Sequence, residues 1–411
     1  MKNIVLKTTT LSILASSVLL ASGWRIPEQS SQSIATSGAY VSSSKGATTS
    51  YYNPANMSFN DDKIEAEVDF GYIHLDSIRY TDNRSPVFNG NSKEEDFFIP
   101  TMFITSKAYD NFRFGFSLTT PGGLSKQWDD PYEKAYAQEF TLKIVELNPS
   151  VSYLVNSNLS VGGGLRVIYS EGIVKSDATT IYNMTGSGGP VVRDMTGETI
   201  EYGYNLALAY KPTKLDSMAI TYRSNIDLKE DGNAKLYVSG TKVYDGGVDV
   251  TVPLPAVLTL SYAHTFNKTT LELTYDKTYW SKYKALDFNY DSSIPVILQS
   301  AFDDPKSRNW SDTNAYRIGI SHKYNEQLTL MAGFAIDNTP APEQNVGFEL
   351  PDSDAKLYSI GADYKLDDKR SIGFGYLLDI KEDRTIKNTD IDGTFTNSKA
   401  HLFSFAYRVS F

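Results

Sequence analysis

Phe403-Ser404-Phe405-Ala406-Tyr407-Arg408-Val409-Ser410-Phe411 sets a large apolar side chain at every second position and Ser, Ala or Arg between them. That spacing puts all the apolar groups on one face of an extended chain, with an apolar medium on one side only. The same pattern recurs upstream. Leu258, Leu260, Tyr262, His264 and Phe266 alternate with Thr259, Ser261, Ala263 and Thr265; Tyr358, Ile360, Ala362, Tyr364 and Leu366 alternate with Ser359, Gly361, Asp363 and Lys365.

Fourteen segments of this kind can be counted between 63 and 411. Short polar turns such as Asn156-Ser157, Asn267-Lys268 and Asp367-Asp368 alternate with long loops at 80–94, 121–137, 175–197, 231–254, 289–312, 338–354 and 385–397. An even strand count with short turns at one end and long loops at the other is the signature of a transmembrane barrel. A soluble sandwich also alternates, but its strands run to about 5–6 residues, and several segments here are longer. The second face carries Gly, Ser, Thr, Asp and Arg, which suits a polar lumen. The expected fold is all-β, a fourteen-stranded antiparallel transmembrane barrel. Tyr72, Tyr80, Tyr169, Tyr210, Tyr279, Trp280, Tyr316, Tyr324 and Tyr407 fall near strand ends and are expected in the interfacial aromatic girdles.

The rest of the chain divides in two. Residues 1–21 carry Lys2 and Lys7, an apolar run from Leu11 to Leu20, and Ala21, the layout of a secretory signal peptide. Residues 22–62 are rich in Ser, Ala and Gly and have no sustained period, so composition alone reads as a linker. A barrel of fourteen strands is too wide for side chains to fill. Residues 22–62 are therefore expected to form an N-terminal hatch inside the lumen, and 63–411 the barrel. Gly162-Gly163-Gly164 lies mid-strand and is expected to permit close backbone approach rather than to cradle a phosphate.

Several functions are disfavoured by composition. The chain has no Cys, four scattered His and a net charge of −10. No thiolate or His-based metal site, no catalytic constellation, no cofactor motif and no nucleic-acid partner are expected; the chain is read as not an enzyme. The long loops carry apolar groups instead. Leu124, Trp128, Tyr132, Tyr136 and Phe140 recur every four residues, as on one face of a helix that Pro131 must interrupt. Ile181, Met184, Val191, Val192 and Met195 mark the next long loop, and Ile294 to Leu298 with Phe302 a third. Such groups either pack on the barrel rim or line a collecting groove. Arg166, Arg223 and Arg317 sit on inward faces; each could meet a ligand carboxylate or pair with an acid such as Glu65, Glu67 or Glu146.

A set of motifs extends this reading. Ser22-Gly23-Trp24, Tyr52-Asn53-Pro54-Ala55, Tyr222-Arg223-Ser224, Tyr279-Trp280-Ser281 and Tyr316-Arg317-Ile318-Gly319 occur in that order. Gly333-Phe334-Ala335-Ile336-Asp337-Asn338-Thr339-Pro340-Ala341-Pro342 and Leu350-Pro351-Asp352 follow them. The ordered set resembles the long-chain fatty acid transport proteins of Gram-negative outer membranes, the FadL family. The resemblance implies a hatch-plugged barrel and passive uptake of hydrophobic molecules, fatty acids or aromatic hydrocarbons, by a monomer in contact with outer-membrane lipid. Capture among the loops is followed by diffusion through a lateral gap in the wall. It places the Asn53-Pro54-Ala55 turn as a gate facing the third strand near Phe112 to Thr120. Trp24, Leu124, Trp128, Tyr136, Met184, Arg166, Arg223 and Arg317 are the expected substrate-binding residues. The loop at 175–197 is short for a long-chain fatty acid member, which favours a smaller or different ligand. The alternatives are a general diffusion porin and a surface adhesin.

Overall fold

The computed structural model describes residues 23–411; the expected signal peptide lies outside them. The strands are β1 (Glu65–Leu75), β2 (Glu95–Thr105), β3 in two pieces (Phe112–Thr119 and Gly123–Gln127), β4 (Glu139–Asn156), β5 (Leu159–Asp177) and β6 (Val191–Tyr210). Two more are broken: β7 (Asp216–Arg223 and Ile226–Val238) and β8 (Thr241–Leu254 and Ala256–Phe266). β9 (Thr269–Tyr279), β10 (Thr313–Lys323), β11 (Leu328–Asp337), β12 (Ala355–Lys365), β13 (Arg370–Lys381) and β14 (Lys399–Ser410) complete the set. Each pairs antiparallel with its neighbours, and β1 pairs with β14 from Glu65↔Ser410 to Leu75↔Ala400, so the fourteen strands close on themselves. Closure leaves no edge strand in the barrel, which is what lipid demands of a β structure.

Side-chain direction follows the sequence period. Phe70, Phe98, Phe403, Phe405 and Tyr407 are exposed on the outside, while Asp69, Leu402, Ser404 and Ala406 are buried on the inside. Two of the expected girdle residues are placed otherwise. Tyr80 is buried in the loop cluster, and Trp280 packs edge-on against Trp24 with ring centroids 4.6 Å apart. Both lie just beyond a strand end, where the chain turns inward and the period-2 rule stops applying.

β4 to β8 stand taller than the rest. On their outer faces the continuous apolar run ends at Tyr169 and Ile200, and above it charged residues enter, among them Glu171, Glu198, Asp227, Lys229 and Asp231. Charged side chains cannot face hydrocarbon cheaply, so these strands rise beyond the membrane. Two of the expected loops are therefore mostly strand. The stretch 231–254 is the extended β7–β8 hairpin, and 175–197 contains the ends of β5 and β6 around a short helix, α1 (Thr179–Thr185). The stretch 121–137 contains the outer piece of β3 and a second helix, α2 (Pro131–Ala137).

Residues 23–60 thread the lumen, and most are buried. Small residues let this hatch lie flat on the wall. A Cβ added to Gly333 would come within 2.2 Å of the Thr36 carbonyl carbon, and one on Gly162 within 2.6 Å of the Ala55 nitrogen. The hatch has little regular structure of its own, so its backbone groups bind the wall, as buried N–H groups must bind something. Glu272 of β9 accepts from the amides of Val41 (2.6 Å), Ser42 (2.9 Å) and Ser43 (2.8 Å). Asp69 of β1 accepts from the amide of Ser31 at 2.7 Å. Arg113 of β3 donates to the carbonyls of Asn60 and Asp61.

Candidate functional site

The third strand breaks at Thr120-Pro121-Gly122. Pro121 has no N–H to give a ladder and Gly122 no side chain to pack, so a regular strand cannot run through them. β2 and β3 are paired only from Met102↔Leu118 to Thr105↔Gly115. Above Leu118 the two strands part, and the first residues of the hatch occupy the place of a neighbour. The Ile26 amide donates to the Pro121 carbonyl at 2.9 Å, and the Gly123 amide to the Trp24 carbonyl at 2.8 Å. Gln29 closes the arrangement. Its side chain donates to the Thr120 carbonyl at 2.8 Å and accepts from the Thr120 amide at 2.7 Å, while its own carbonyl accepts from the Thr101 hydroxyl at 2.8 Å. A stretch of hatch backbone thus substitutes for strand pairing at one point in the wall.

Beside this break lie two cavities that share lining residues. The outer chamber, about 670 Å³, is walled by loop residues including Tyr136, Ile181, Phe302, Val346, Phe348 and Ile391. The inner slot, about 50 Å³, is walled by Trp24, Leu124, Leu142, Val252, Tyr283 and Trp310 among others. Phe140, Leu286 and Phe288 line both and stand between them. Trp24, Trp280, Tyr283 and Trp310 pack ring against ring, with centroids 4.6–5.3 Å apart, at the floor of the slot. Pairs of this kind add about 0.5–1.5 kcal/mol each beyond area burial, so the floor is rigid and apolar.

The chamber carries two guanidinium groups. Arg308 is held by Glu349 at 2.7 Å. Arg193 lies over the rings of Phe288 (5.3 Å) and Phe302 (5.0 Å), is 9% exposed, and makes no ion pair with a described residue. Nearby, in α2, Glu133 is fully buried against Gly90, and neither of its carboxyl oxygens meets a hydrogen-bond partner among the described residues. Burial pushes its pKa up to about 8.

The expected site residues separate into groups. Trp24 and Leu124 line the slot and Tyr136 the chamber. Trp128 is fully buried in the loop cluster, where its indole N–H donates to the Phe348 carbonyl at 2.9 Å, and it lines neither cavity. Met184 is 56% exposed on α1 and lines neither. The helical face expected from Leu124 to Phe140 is not one helix. Leu124 and Phe140 are on β3 and β4, only Tyr132 and Tyr136 are on α2, and Pro131 starts the helix instead of interrupting it.

Arg166, Arg223 and Arg317 all point inward, and all are paired with acids rather than left for a ligand. Arg166 and Arg223 share Glu146, with Arg166 at 2.9 Å. Arg317 meets Glu28, Asp276 and Asp337 at 3.0–3.1 Å. Asn53-Pro54-Ala55 does not face β3 as expected. Pro54 and Ala55 lie on Gly162 of β5, and Ala55 packs with Ala207 and Ala209 of β6. Their neighbours Ser50 and Met57 are the residues that reach β3, at Gly115. Sequence reasoning missed Arg193, Glu230, Tyr283, Trp310 and the break in β3. Pro121-Gly122-Gly123 was the available signal for the break, being the one Pro-Gly-Gly in an apolar, strand-like stretch.

A family model described as "Outer membrane protein transport protein (OMPP1/FadL/TodX)" matches residues 12–411. Outer membrane protein P1 of Haemophilus influenzae is 25% identical over 306 residues, covering 68% of this chain and 65% of its own length. A long-chain fatty acid transport protein of Escherichia coli is 23% identical over 351 residues, covering 76% of this chain and 77% of its own. Among solved structures, a Pseudomonas aeruginosa FadL homologue superposes with a TM-score of 0.80 at 22% identity, covering 94% of this chain and 99% of that one. The Pseudomonas putida toluene transporter TodX gives 0.71 at 17% identity, covering 93% and 98%. At these identities the structural likeness is one of fold.

Proposed function

The chain belongs to the OMPP1/FadL/TodX family of outer-membrane transport proteins, and from that premise we propose that it takes up hydrophobic small molecules, fatty acids or aromatic hydrocarbons, without an energy source. It is a protein of the outer membrane and a transporter rather than an enzyme. A molecule enters the outer chamber among apolar loop side chains, passes Phe140 and Phe288 to the slot beside Trp24, and leaves sideways where β3 is broken.

One observation carries this reading: the segment Trp24–Gln29 fills the unpaired stretch between β2 and β3 next to the apolar slot. Its bonds there are a handful of neutral hydrogen bonds, worth about 0.5–1.5 kcal/mol each. A shift of Trp24 to Ile26 and of the Gln29 side chain would open a path to lipid while Glu28, paired with Arg317 at 3.0 Å, and the other charged anchors hold the rest of the hatch. Arg193 is the group in the chamber best placed to meet an anionic head.

The chain lacks Cys, so Gln29→Cys with Thr101→Cys can tether the segment to β2. Expected is loss of uptake on oxidation and recovery with a reductant; unchanged uptake in the oxidised protein would overturn lateral release. A general porin requires a continuous water path instead. Large steady conductance of the purified protein in planar bilayers would favour that reading and sink this one. Comparing uptake of a fatty acid with that of a monoaromatic in cells separates the two substrate classes.

A further inference from the structure

The inner slot contains a charged group that its lining does not explain. Glu230, on the upper piece of β7, points inward, is 2% exposed and lines the slot among aromatic and aliphatic side chains. Neither of its carboxyl oxygens has a hydrogen-bond partner among the described residues. The Ser170 hydroxyl stands beside it and likewise has no hydrogen-bond partner among the described residues. Arg308, which also lines the slot, is held by Glu349 at 2.7 Å.

Glu230 is also left uncovered from the wall. Its side chain lies over Gly172 of β5 and Gly197 of β6: a Cβ on Gly197 would come within 3.3 Å of it, and one on Gly172 within 3.9 Å. These two glycines face each other in the β5–β6 ladder. A buried carboxyl without a donor is costly, and a ligand that brought a donor would remove that cost.

We propose that Glu230 is the acceptor of a subsite that takes the hydroxyl end of a neutral apolar molecule, such as an alkylphenol or a long-chain alcohol. Size supports the assignment. About 50 Å³ holds roughly the volume of one or two water molecules, enough for a hydroxyl and the carbon that bears it. The body of the ligand then lies back past Phe140 and Phe288 in the 670 Å³ chamber. Charge supports it too. Arg193 and Arg308 line the approach and oppose an ammonium head, while Glu230 opposes a carboxylate. A neutral donor meets neither obstacle. The inference rests on the reading of the two cavities as the ligand path.

The test uses the full chain in lipid nanodiscs and the fluorescence of the tryptophans lining the slot. 4-Octylphenol, octylbenzene and octanoate are titrated into wild type, E230Q and E230L. In wild type, octylphenol should bind about tenfold more tightly than octylbenzene, the effect expected of one hydrogen bond to a carboxylate. The gap should narrow in E230Q, whose amide oxygen still accepts, and vanish in E230L. Equal affinities in wild type or the full gap persisting in E230L would each overturn the assignment; octanoate, whose head Arg193 can hold in the chamber, is the anionic control. If none of the three binds wild type, the transport path itself is wrong. If octylbenzene binds and the gap is absent, only the role of Glu230 fails.

Discussion

Arg317 on β10 donates to Glu28 of the hatch at 3.0 Å, and the same guanidinium holds Asp276 of β9 and Asp337 of β11. One cation therefore joins the hatch to three adjacent strands. It also donates to the Ser37 carbonyl at 2.9 Å. Removing it leaves three buried acids without their shared counter-ion, a loss of about 3–5 kcal/mol. Arg317→Ala should release the hatch while the barrel stays closed. Protease cleavage within 23–62 and raised bilayer conductance, with unchanged heat-modifiable migration, would be the readout.

Glu272 binds three successive hatch amides, a small nest for the backbone of Val41-Ser42-Ser43. Glu272→Gln keeps one acceptor and loses the charge, so about 1–2 kcal/mol should go. Hydrogen exchange should speed up at residues 41–43 and stay unchanged at Ser31, whose amide is held by Asp69.

At Gly333 an added methyl would meet the Thr36 backbone, which cannot swing aside as a side chain can. Gly333→Ala should displace the hatch and raise conductance in the manner of Arg317→Ala. Gly189→Ala, where the nearest atom is 3.5 Å away, should do neither.

Glu133 gives the outer loops a pH dependence. Its pKa rises from 4.5 to about 8 because burial penalises the charged form. The folded loop therefore binds more protons than the unfolded one between those values. Stability is full below about pH 4.5, declines as pH rises and is lost through about pH 8. Hydrogen-exchange protection at 131–137, taken relative to the intrinsic exchange rate at each pH, should fall between pH 5 and pH 9 in wild type, and Glu133→Gln should flatten that change.

Arg193 predicts selectivity in the chamber. Arg193→Leu keeps bulk between Phe288 and Phe302 and removes the charge. Chamber capture of a carboxylate-headed amphiphile should fall about tenfold or more, the range of a hydrogen bond to a charged group, while a neutral hydrocarbon of equal length should be unaffected. Isothermal titration of both ligands against both proteins decides it.

The barrel was legible because the period of 2 is a one-dimensional signal: Phe403, Phe405 and Tyr407 had to share a face, and they do. The inward direction of Arg166, Arg223 and Arg317 followed from the same parity. Their partners did not, because Glu28 and Arg317 stand 289 positions apart and meet only once the hatch is inside. The four-residue spacing from Leu124 to Phe140 misled for a related reason. A strand, a turn, a helix and another strand brought those side chains toward one cluster, and spacing cannot distinguish that from a single helix. Asn53-Pro54-Ala55 was read as a stiff turn, and Asn53 does cap it by accepting from the Ala55 amide at 3.2 Å. The strand it would face depended on how the hatch coils, which small residues leave unspecified.

The tall side of the barrel changes what limits uptake. β5 and β6 run 19 and 20 residues, against 11 for β1 and β12; at about 3.3 Å per residue the difference is about 26–30 Å before tilt. That wall carries one side of the outer chamber, through Ala178, Val191 and Arg193, above the hydrocarbon on one flank only. A sparingly soluble molecule crossing the polar surface layer would then partition between two sheltered phases instead of diffusing free through water. On the proposed path, flux would be set by occupancy of the chamber, so it would saturate with concentration and give competition between unlike hydrophobes, the kinetics of a carrier from a protein that need only be a sheltered passage.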